Sequence, residues 1–128
     1  MRAVEKLIPA AIASVKDNLA EYETVNKTYK GYISAFGAGI IQSGLLPTLA
    51  MYKEGSENKK AETGRLLQAI YTVVQSKYNP KPADDNLFDY ALRIITDEPS
   101  KRQMVINEII NASIAVKLAI RTFKLIEP

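Results

Sequence analysis

The sequence contains no cysteine, no histidine and no tryptophan. Protein zinc sites use mainly cysteine thiolates and histidine imidazoles, and nucleophilic catalysis commonly depends on a cysteine or on a serine activated by histidine. These absences therefore exclude most familiar metal sites and catalytic sites. A carboxylate or lysine site remains, but no pair of carboxylates has a spacing that indicates general acid–base catalysis. We expect a protein that is not an enzyme and that needs no metal, cofactor or small-molecule substrate.

The lack of cysteine and the N-terminal segment both bear on the location of the protein. Glu5, Lys6 and Lys16 interrupt the stretch that would have to be the apolar region of a signal peptide. The absence of cysteine fits a reducing compartment, although many secreted proteins also lack cysteine. We therefore expect a cytoplasmic protein.

The composition is that of an ordinary globular domain. The chain has 128 residues, of which 47% are hydrophobic and 24% are charged, and this length suits one compact core. The sequence contains no evident internal repeat, low-complexity tract or interdomain linker. We predict a single domain over residues 1–128.

Residues 31–52, GYISAFGAGIIQSGLLPTLAMY, carry no charged side chain. A helix of about 20 apolar residues can cross a membrane, but this stretch contains Gln42, Pro47 and several serine, threonine and glycine residues. Proline disrupts a helix interior and fits the first turn of a helix. We therefore predict two helices inside a soluble protein, the first ending near Ser43 and the second beginning near Gly44.

The first of these helices has two different faces. Bulky side chains recur at Tyr29, Ile33, Phe36 and Ile40. Small residues recur every four positions at Gly31, Ala35, Gly39 and Ser43. We predict that the small face packs closely against a neighbouring helix in the core, in preference to membrane insertion or a phosphate-binding loop.

Apolar residues recur at spacings of three and four over most of the remaining chain, which predicts further helices. The first helix carries Val4, Ile8, Ala11, Val15, Leu19 and Tyr22. Pro9 either kinks this helix or marks its start, and Gly55 is expected to end the third helix as a left-handed cap. The fourth helix carries Leu66, Leu67, Ile70, Val73, Val74 and Tyr78, and a loop follows over 79–84.

Two more helices are predicted after this loop. The first of them carries Leu87, Phe88, Ala91, Leu92 and Ile95, and its cap is Asp84 or Asp85. Thr96 or Asp97 can cap the last helix, with Pro99 in its first turn. The last helix carries Val105, Ile109, Ala112, Val116, Ala119 and Phe123, and Ile106, Ile110 and Ile114 widen the apolar surface enough to predict contacts on two sides. No convincing strand pattern is present, so we predict an all-α, single-domain bundle of five or six helices.

The charge is unevenly distributed along the chain. The formal net charge is +3. Residues 24–81 contain eight Lys or Arg against three acidic residues, a net +5, whereas residues 82–98 contain one Arg against five acidic residues, a net −4. If this segregation survives folding, the molecule has a basic side and an acidic side.

Clustered basic residues are candidates for contacts with RNA phosphates. Lys117, Arg121 and Lys124 are spaced to share one stripe of the last helix. The full set of candidates is Lys27, Lys30, Lys53, Lys59, Lys60, Arg65, Lys117, Arg121 and Lys124. A solvated helix face is the alternative, and charge alone favours it. One of the seven tyrosines could supply a ring that stacks on a base, although most are expected in or beside the core. They are Tyr22, Tyr29, Tyr32, Tyr52, Tyr71, Tyr78 and Tyr90.

The segment Lys27–Gly55, KTYKGYISAFGAGIIQSGLLPTLAMYKEG, resembles the signature block of the small subunit of type III-B (Cmr) CRISPR effector complexes. The segments LIPAAIASVKDNL and SIAVKLAIRTFKL resemble the opening and final helices of that family, so the resemblance covers most of the chain. Met51 stands where a phenylalanine is expected, an exchange of one core side chain for another.

This resemblance implies a non-catalytic helical subunit that stacks along an RNA-guided complex and contacts other Cmr subunits and the guide or target RNA. Guide pairing would then read the sequence, and this subunit would contact the RNA backbone. The acidic residues Asp84, Asp85, Asp89, Asp97 and Glu98 are candidates for meeting a basic neighbour in head-to-tail self-association. Helix capping is the alternative role for Asp84, Asp85 and Asp97.

A structural adaptor is the second hypothesis. A helical protein could use a wide apolar face to bind another protein or itself, with no contact to nucleic acid. Salt-sensitive affinity for RNA distinguishes the two hypotheses, because an adaptor lacks it.

Overall fold

The computed structural model describes residues 3–54 and 62–127. In these residues the chain forms six α-helices, which are α1 Ala3–Asn18, α2 Thr28–Ser43, α3 Leu45–Glu54, α4 Thr63–Gln75, α5 Leu87–Asp97 and α6 Arg102–Ile120. A short 3-10 helix, Pro99–Lys101, leads into α6. Three short strands, β1 Ala20–Glu21, β2 Thr24–Asn26 and β3 Lys124–Ile126, form a small sheet. The predicted helical bundle is confirmed. The predicted cap at Gly55 lies outside the described residues.

Helix α6 is the central helix of the bundle and packs against α1, α2, α4 and α5. Its buried apolar residues are Val105, Ile109, Ala112, Ala115, Val116, Ala119 and Ile120. Each fully buried valine or isoleucine stabilises the fold by about 1.5–3 kcal/mol. The wide apolar surface predicted for this helix therefore contacts several neighbours, whereas Ile114 and Leu118 remain exposed.

The segment Pro99–Ile120 is also long and apolar enough to cross a membrane, with a mean hydropathy of 1.3. Half of its apolar stretch, 50%, is buried inside the fold. Such burial is what a core helix shows, because neighbouring helices cover the apolar side chains.

The uncharged stretch is divided between two helices, as predicted. Helix α2 ends at Ser43 and α3 begins at Leu45. Gly44 has φ +95°, a conformation that glycine adopts far more readily than other residues. The Thr48 hydroxyl donates a hydrogen bond to the Gly44 carbonyl at 2.9 Å. Pro47 lies in the first turn of α3, where its missing N–H costs no helical hydrogen bond.

The close packing predicted for the small face of α2 is confirmed at Gly39 and is wrong for the rest of that face. The bulky face, Tyr29, Ile33, Phe36 and Ile40, is buried as expected. On the opposite side Ala35 and Ser43 are exposed, and a Cβ added at Gly31 would meet nothing within 4 Å. Gly39 does approach α3 closely, since its added Cβ would lie 3.1 Å from Thr48 Oγ1. The bulky residues take the core side, so Gly31, Ala35 and Ser43 face outward.

The three-stranded sheet is a feature that the sequence analysis missed. Strands β1 and β2 pair antiparallel, and β2 pairs with β3 in parallel, with Val25 opposite Leu125. Strands of two or three residues are too short to show the period of two by which strands are identified.

Helix α1 ends at Asn18, so Leu19 and Tyr22 are not helical and that part of the helix prediction is wrong. Pro9 lies inside α1, not at its start.

The turn between β1 and β2 contains a strained residue. Tyr22 has φ 59°, the left-handed region in which a residue with a Cβ costs about 1–2 kcal/mol. Its ring is 97% exposed. The helical period of α1 and the hydrophobicity of tyrosine both predict a buried helical residue, so neither predicts that Tyr22 lies exposed in a turn.

The caps of the last helices differ from the prediction. Asn86 caps α5, because its side-chain oxygen accepts a hydrogen bond from the Asp89 N–H at 2.9 Å. The predicted cap at Asp84 is therefore wrong, as is the one at Asp85. Pro99 opens the 3-10 helix as expected, but Glu98 precedes it without a capping side-chain bond, so Thr96 and Asp97 do not serve as caps. The loop over 79–84 is confirmed and contains a cis Asn79–Pro80 bond.

Candidate nucleic-acid interface

The sheet joins the start of α2 to the segment after α6. The Lys27 N–H donates a hydrogen bond to the Ile126 carbonyl at 2.8 Å. Lys124 lies opposite Thr24 in the parallel pair, which places it roughly 10 Å along the strand direction from Lys27 at about 3.3 Å per residue. Candidate cations that are almost 100 positions apart in sequence therefore lie at the same end of the bundle.

Lys27 and Lys30 line a groove of about 570 Å³ at the start of α2, together with Tyr32, Ser34 and Glu127. Lys27 Nζ lies 3.0 Å from Glu127 Oε1, and both side chains are exposed. Exposed ion pairs of this kind contribute about 0–1 kcal/mol. Glu127 therefore holds the Lys27 ammonium only weakly.

Arg65 faces a more mixed environment. It lines a cavity of about 400 Å³ on the outer side of the sheet, where Glu21 and Glu127 are also present. Its Nε lies 3.8 Å from Glu62 Oε2. Lys53, at the end of α3, is exposed and holds its ammonium 5.2 Å from the centre of the Phe88 ring. Arg65 therefore shares its surroundings with three glutamates, Glu21, Glu62 and Glu127.

Of the three cations predicted for the last helix, Lys117 lies in it and Arg121 is its C-cap residue. Lys117 is half-buried and Arg121 is exposed, and both lie at the helix C-terminus, where positive charge also stabilises the helix dipole. The predicted stripe through Lys124 is wrong, because α6 ends at Ile120 and Lys124 belongs to β3. Lys59 and Lys60 lie outside the described residues.

A second cavity lies between the hairpin tip and the end of α1, and we call it the hairpin cavity. Its volume is about 830 Å³, and its lining includes Lys16, Tyr22, Glu23, Phe123 and Lys124. Lys16 is not among the candidates drawn from the sequence. Its exposed place in the last turn of α1 becomes informative only when the sheet brings β3 beside it.

Three of the five acidic candidates have partners within the chain. Asp84 accepts two hydrogen bonds from Arg93, at 2.8 and 2.9 Å, and these bonds lower the pKa of the Asp84 carboxyl. The remaining contacts are Asp89 with the Asn86 side chain at 3.3 Å and Glu98 with Lys101 at 3.1 Å. Asp85 and Asp97 are exposed and form no ion pair within the described residues. They are therefore the acidic candidates that a partner could reach most directly.

Glu108 is a buried acidic residue that the sequence did not single out. It accepts hydrogen bonds from the hydroxyls of Tyr78 and Tyr90, and Lys77 Nζ lies 3.5 Å from Glu108 Oε2. Burial, followed by the hydrogen bond to Glu108, raises the pKa of both tyrosines. The hydroxyls therefore stay protonated as donors at neutral pH. A single Glu inside an apolar helix is the signal that could have identified it.

Within residues 3–54 and 62–127, no three acidic side chains come together in a way that could hold a metal ion. The cavities described above are lined by cations, amide and hydroxyl groups and aromatic rings, and each also contains one or two glutamates. The cations and rings suit an anionic polymer, whereas the glutamates oppose it.

The chain was compared with known proteins. A family model described as "CRISPR-associated protein (Cas_Cmr5)" matches residues 5–117. No curated protein and no solved structure shows significant similarity to the chain.

Proposed function

The chain belongs to the CRISPR-associated Cas_Cmr5 family, and we propose that it is the non-catalytic small subunit that contacts the target RNA backbone in a Cmr effector complex. Family membership makes it a component of a Cmr complex. The contact is assigned to the basic surface, which we define as Lys27, Lys30, Lys53, Lys59, Lys60, Arg65, Lys117, Arg121 and Lys124. We also propose that it acts in the cytoplasm in antiviral defence.

The observation that carries this proposal is the exposure of the basic surface. Of the seven members inside the described residues, Lys117 is half-buried and the other six are exposed. The sheet also brings cations from the start of α2 and from β3 to one end of the molecule. Cations in this arrangement can follow a phosphate backbone without reading bases, while guide pairing supplies the sequence recognition.

Charge reversal tests the proposal. The double variant Lys27→Glu/Lys30→Glu should weaken binding of target RNA by the assembled complex and reduce its salt dependence, because fewer counterions are released on binding. Affinity should be measured as a function of salt concentration with labelled target RNA.

The matched control is Lys6→Glu/Lys81→Glu. Both lysines are exposed and lie outside the basic surface, so this variant makes the same change in net charge. Loss of affinity only in the Lys27→Glu/Lys30→Glu complex supports the proposal. Equal affinity of all three complexes rules out a phosphate contact through this groove.

The acidic candidates are proposed to meet a basic neighbour when subunits stack. Asp85 and Asp97 are exposed, and Asp84, Asp89 and Glu98 lie on the same loop and helix. A head-to-tail contact between copies would pair this acidic side with the basic surface. Reversal of Asp85 and Asp97 to lysine should then weaken assembly of the complex, measured by its mass in solution.

A protein adaptor that does not contact RNA is the second candidate. The outward face of α2 supports it, because Ile41 is 84% exposed and lies one turn from the exposed Ala38. Titration of the purified chain with RNA at two salt concentrations, together with its mass in solution, distinguishes the candidates. Self-association without salt-sensitive RNA binding favours the adaptor.

A further inference from the structure

The hairpin cavity combines aromatic rings with cations. Its volume of about 830 Å³ lies in the range of protein sites for small molecules. Tyr22 and Phe123 supply the rings, and Lys16 and Lys124 supply positive charge. Proteins that bind single-stranded nucleic acid stack bases on aromatic side chains while cations follow the phosphates. The cavity therefore has both kinds of group that one unpaired nucleotide requires.

Tyr22 is the least expected part of this cavity. Its side chain is 97% exposed, and its backbone adopts φ 59°. Glycine or asparagine adopts this conformation more readily than tyrosine. The core does not use the ring, and the hydroxyl forms no hydrogen bond within the described part of the chain. Strained residues with exposed functional groups are concentrated at binding sites, which favours a ligand for this ring.

Glu23 limits which ligands suit the hairpin cavity. Its carboxylate lines the same space and opposes a phosphate, but Lys16 and Lys124 outnumber it. The carboxylate can also accept a hydrogen bond from the exocyclic amino group of cytosine. The charges therefore suit a nucleotide whose phosphate lies toward the lysines and whose base edge lies toward Glu23.

We propose that the hairpin cavity binds an unpaired RNA nucleotide, with its base stacked on Tyr22 and its phosphate held by Lys16 and Lys124. This inference rests on the proposed function, since it adds a base contact to the phosphate contacts of the basic surface. Stacking tolerates every base because each base has a π-face. If the cavity instead binds a peptide, RNA should not change the signal of a reporter at Tyr22.

The test uses fluorescence at the hairpin tip. The chain has no tryptophan, so Tyr22→Trp introduces a single reporter into the full chain. Single-stranded oligocytidylate of about eight nucleotides, within the usual site size, should quench this emission. A ribose-phosphate strand of equal length without bases should leave the emission unchanged. Ile41→Trp, exposed on α2, is the matched control and should show no quenching.

Removal of the ring gives an independent measurement. Tyr22→Ala should weaken binding of oligocytidylate by about 5- to 150-fold, the range for loss of one stacked base, and Tyr22→Phe should bind like the wild type. Tyr22→Gly separates binding from folding, because glycine adopts φ 59° without strain. This variant should keep a Tm at or above that of the wild type and bind as weakly as Tyr22→Ala.

Three outcomes overturn the inference: no quenching in Tyr22→Trp, equal quenching by the strand without bases, or wild-type affinity in Tyr22→Ala. The proposed function and this inference can fail independently of each other. If Lys27→Glu/Lys30→Glu loses salt-dependent RNA binding while Tyr22→Ala does not, the base contact fails and the phosphate contact stands. If Tyr22→Trp is quenched and the charge reversal has no effect, the base contact stands and the phosphate contact fails.

Discussion

Glu108 joins three parts of the chain through one buried carboxylate. Its side chain is 5% exposed and lies on α6. Its hydrogen-bond donors are Tyr78, which follows α4, and Tyr90 on α5. A buried carboxyl group without partners costs several kcal/mol, and the two hydroxyls, together with the Lys77 ammonium, supply those partners. The cluster thereby holds the segment after α4 against α6.

Removal of one donor should therefore cost stability. Tyr90→Phe leaves Glu108 with one hydroxyl donor fewer and should lower the free energy of unfolding by about 1–3 kcal/mol, measured with urea. Tyr52→Phe is the control, because Tyr52 donates to the uncharged carbonyl of Tyr32 at 2.7 Å and its loss should cost about 1 kcal/mol. An equal or larger loss in Tyr52→Phe would contradict the special role of Glu108.

Asp84 makes part of the stability depend on pH. Hydrogen bonds from Arg93 hold its pKa below the ordinary value of 3.8. The charged form is therefore favoured by folding, so its stabilisation is present above about pH 3.8 and disappears as pH falls through the lower pKa of the folded state. The wild type should be more stable than Asp84→Asn at neutral pH, and this difference should disappear below pH 4. Circular dichroism measures the stability of both proteins as a function of pH. The control Asp85→Asn removes no ion pair with a described residue and should show no such acid-dependent difference; if it does, Arg93 is not the cause.

At the scale of elements, α2 shows which glycines its packing requires. A Cβ at Gly31 would meet nothing within 4 Å, whereas a Cβ at Gly39 would lie 3.1 Å from Thr48 Oγ1. Thr48 is buried and bonded to Gly44, so it has little room to move. Alanine at position 31 therefore meets no steric conflict within the chain, whereas alanine at position 39 does.

Gly31→Ala should raise the free energy of unfolding by about 0.5–1 kcal/mol, because alanine loses less backbone entropy in a helix. Gly39→Ala should lower the free energy of unfolding, because Thr48 must shift. Urea unfolding of both variants measures the contrast. A gain of similar size at both positions would show that α3 can move away from α2.

The helices could be predicted from the sequence because their apolar residues follow the helical period. Tyr29, Ile33, Phe36 and Ile40 are buried as that period requires. The break at Gly44 follows from Pro47. The sheet could not be predicted, because the pairing of Val25 with Leu125 depends on the positions of all the helices between them. The outward orientation of most of the small face of α2 likewise depends on which face of this helix packs against the core.

The candidate site could be predicted only in part, for a similar reason. Composition identifies Lys27, Lys30 and Lys124 as cations, but only the sheet places them at one end of the bundle. Lys16 and the ring of Tyr22 become a possible site when the hairpin lies beside β3. The family resemblance did not depend on these contacts, and the family model confirms it over residues 5–117.

At the scale of the whole molecule, the pairing of β2 with β3 makes the order of synthesis important. Thr24 leaves the ribosome 100 residues before Lys124, an interval of roughly 5–20 s at the usual rate of elongation. During that interval β2 has no partner on its β3 side, and the end of the bundle that carries Lys27 is incomplete. A nascent chain that stops short of β3 therefore lacks part of the surface we assign to RNA. The sheet can therefore be completed only when translation is almost finished.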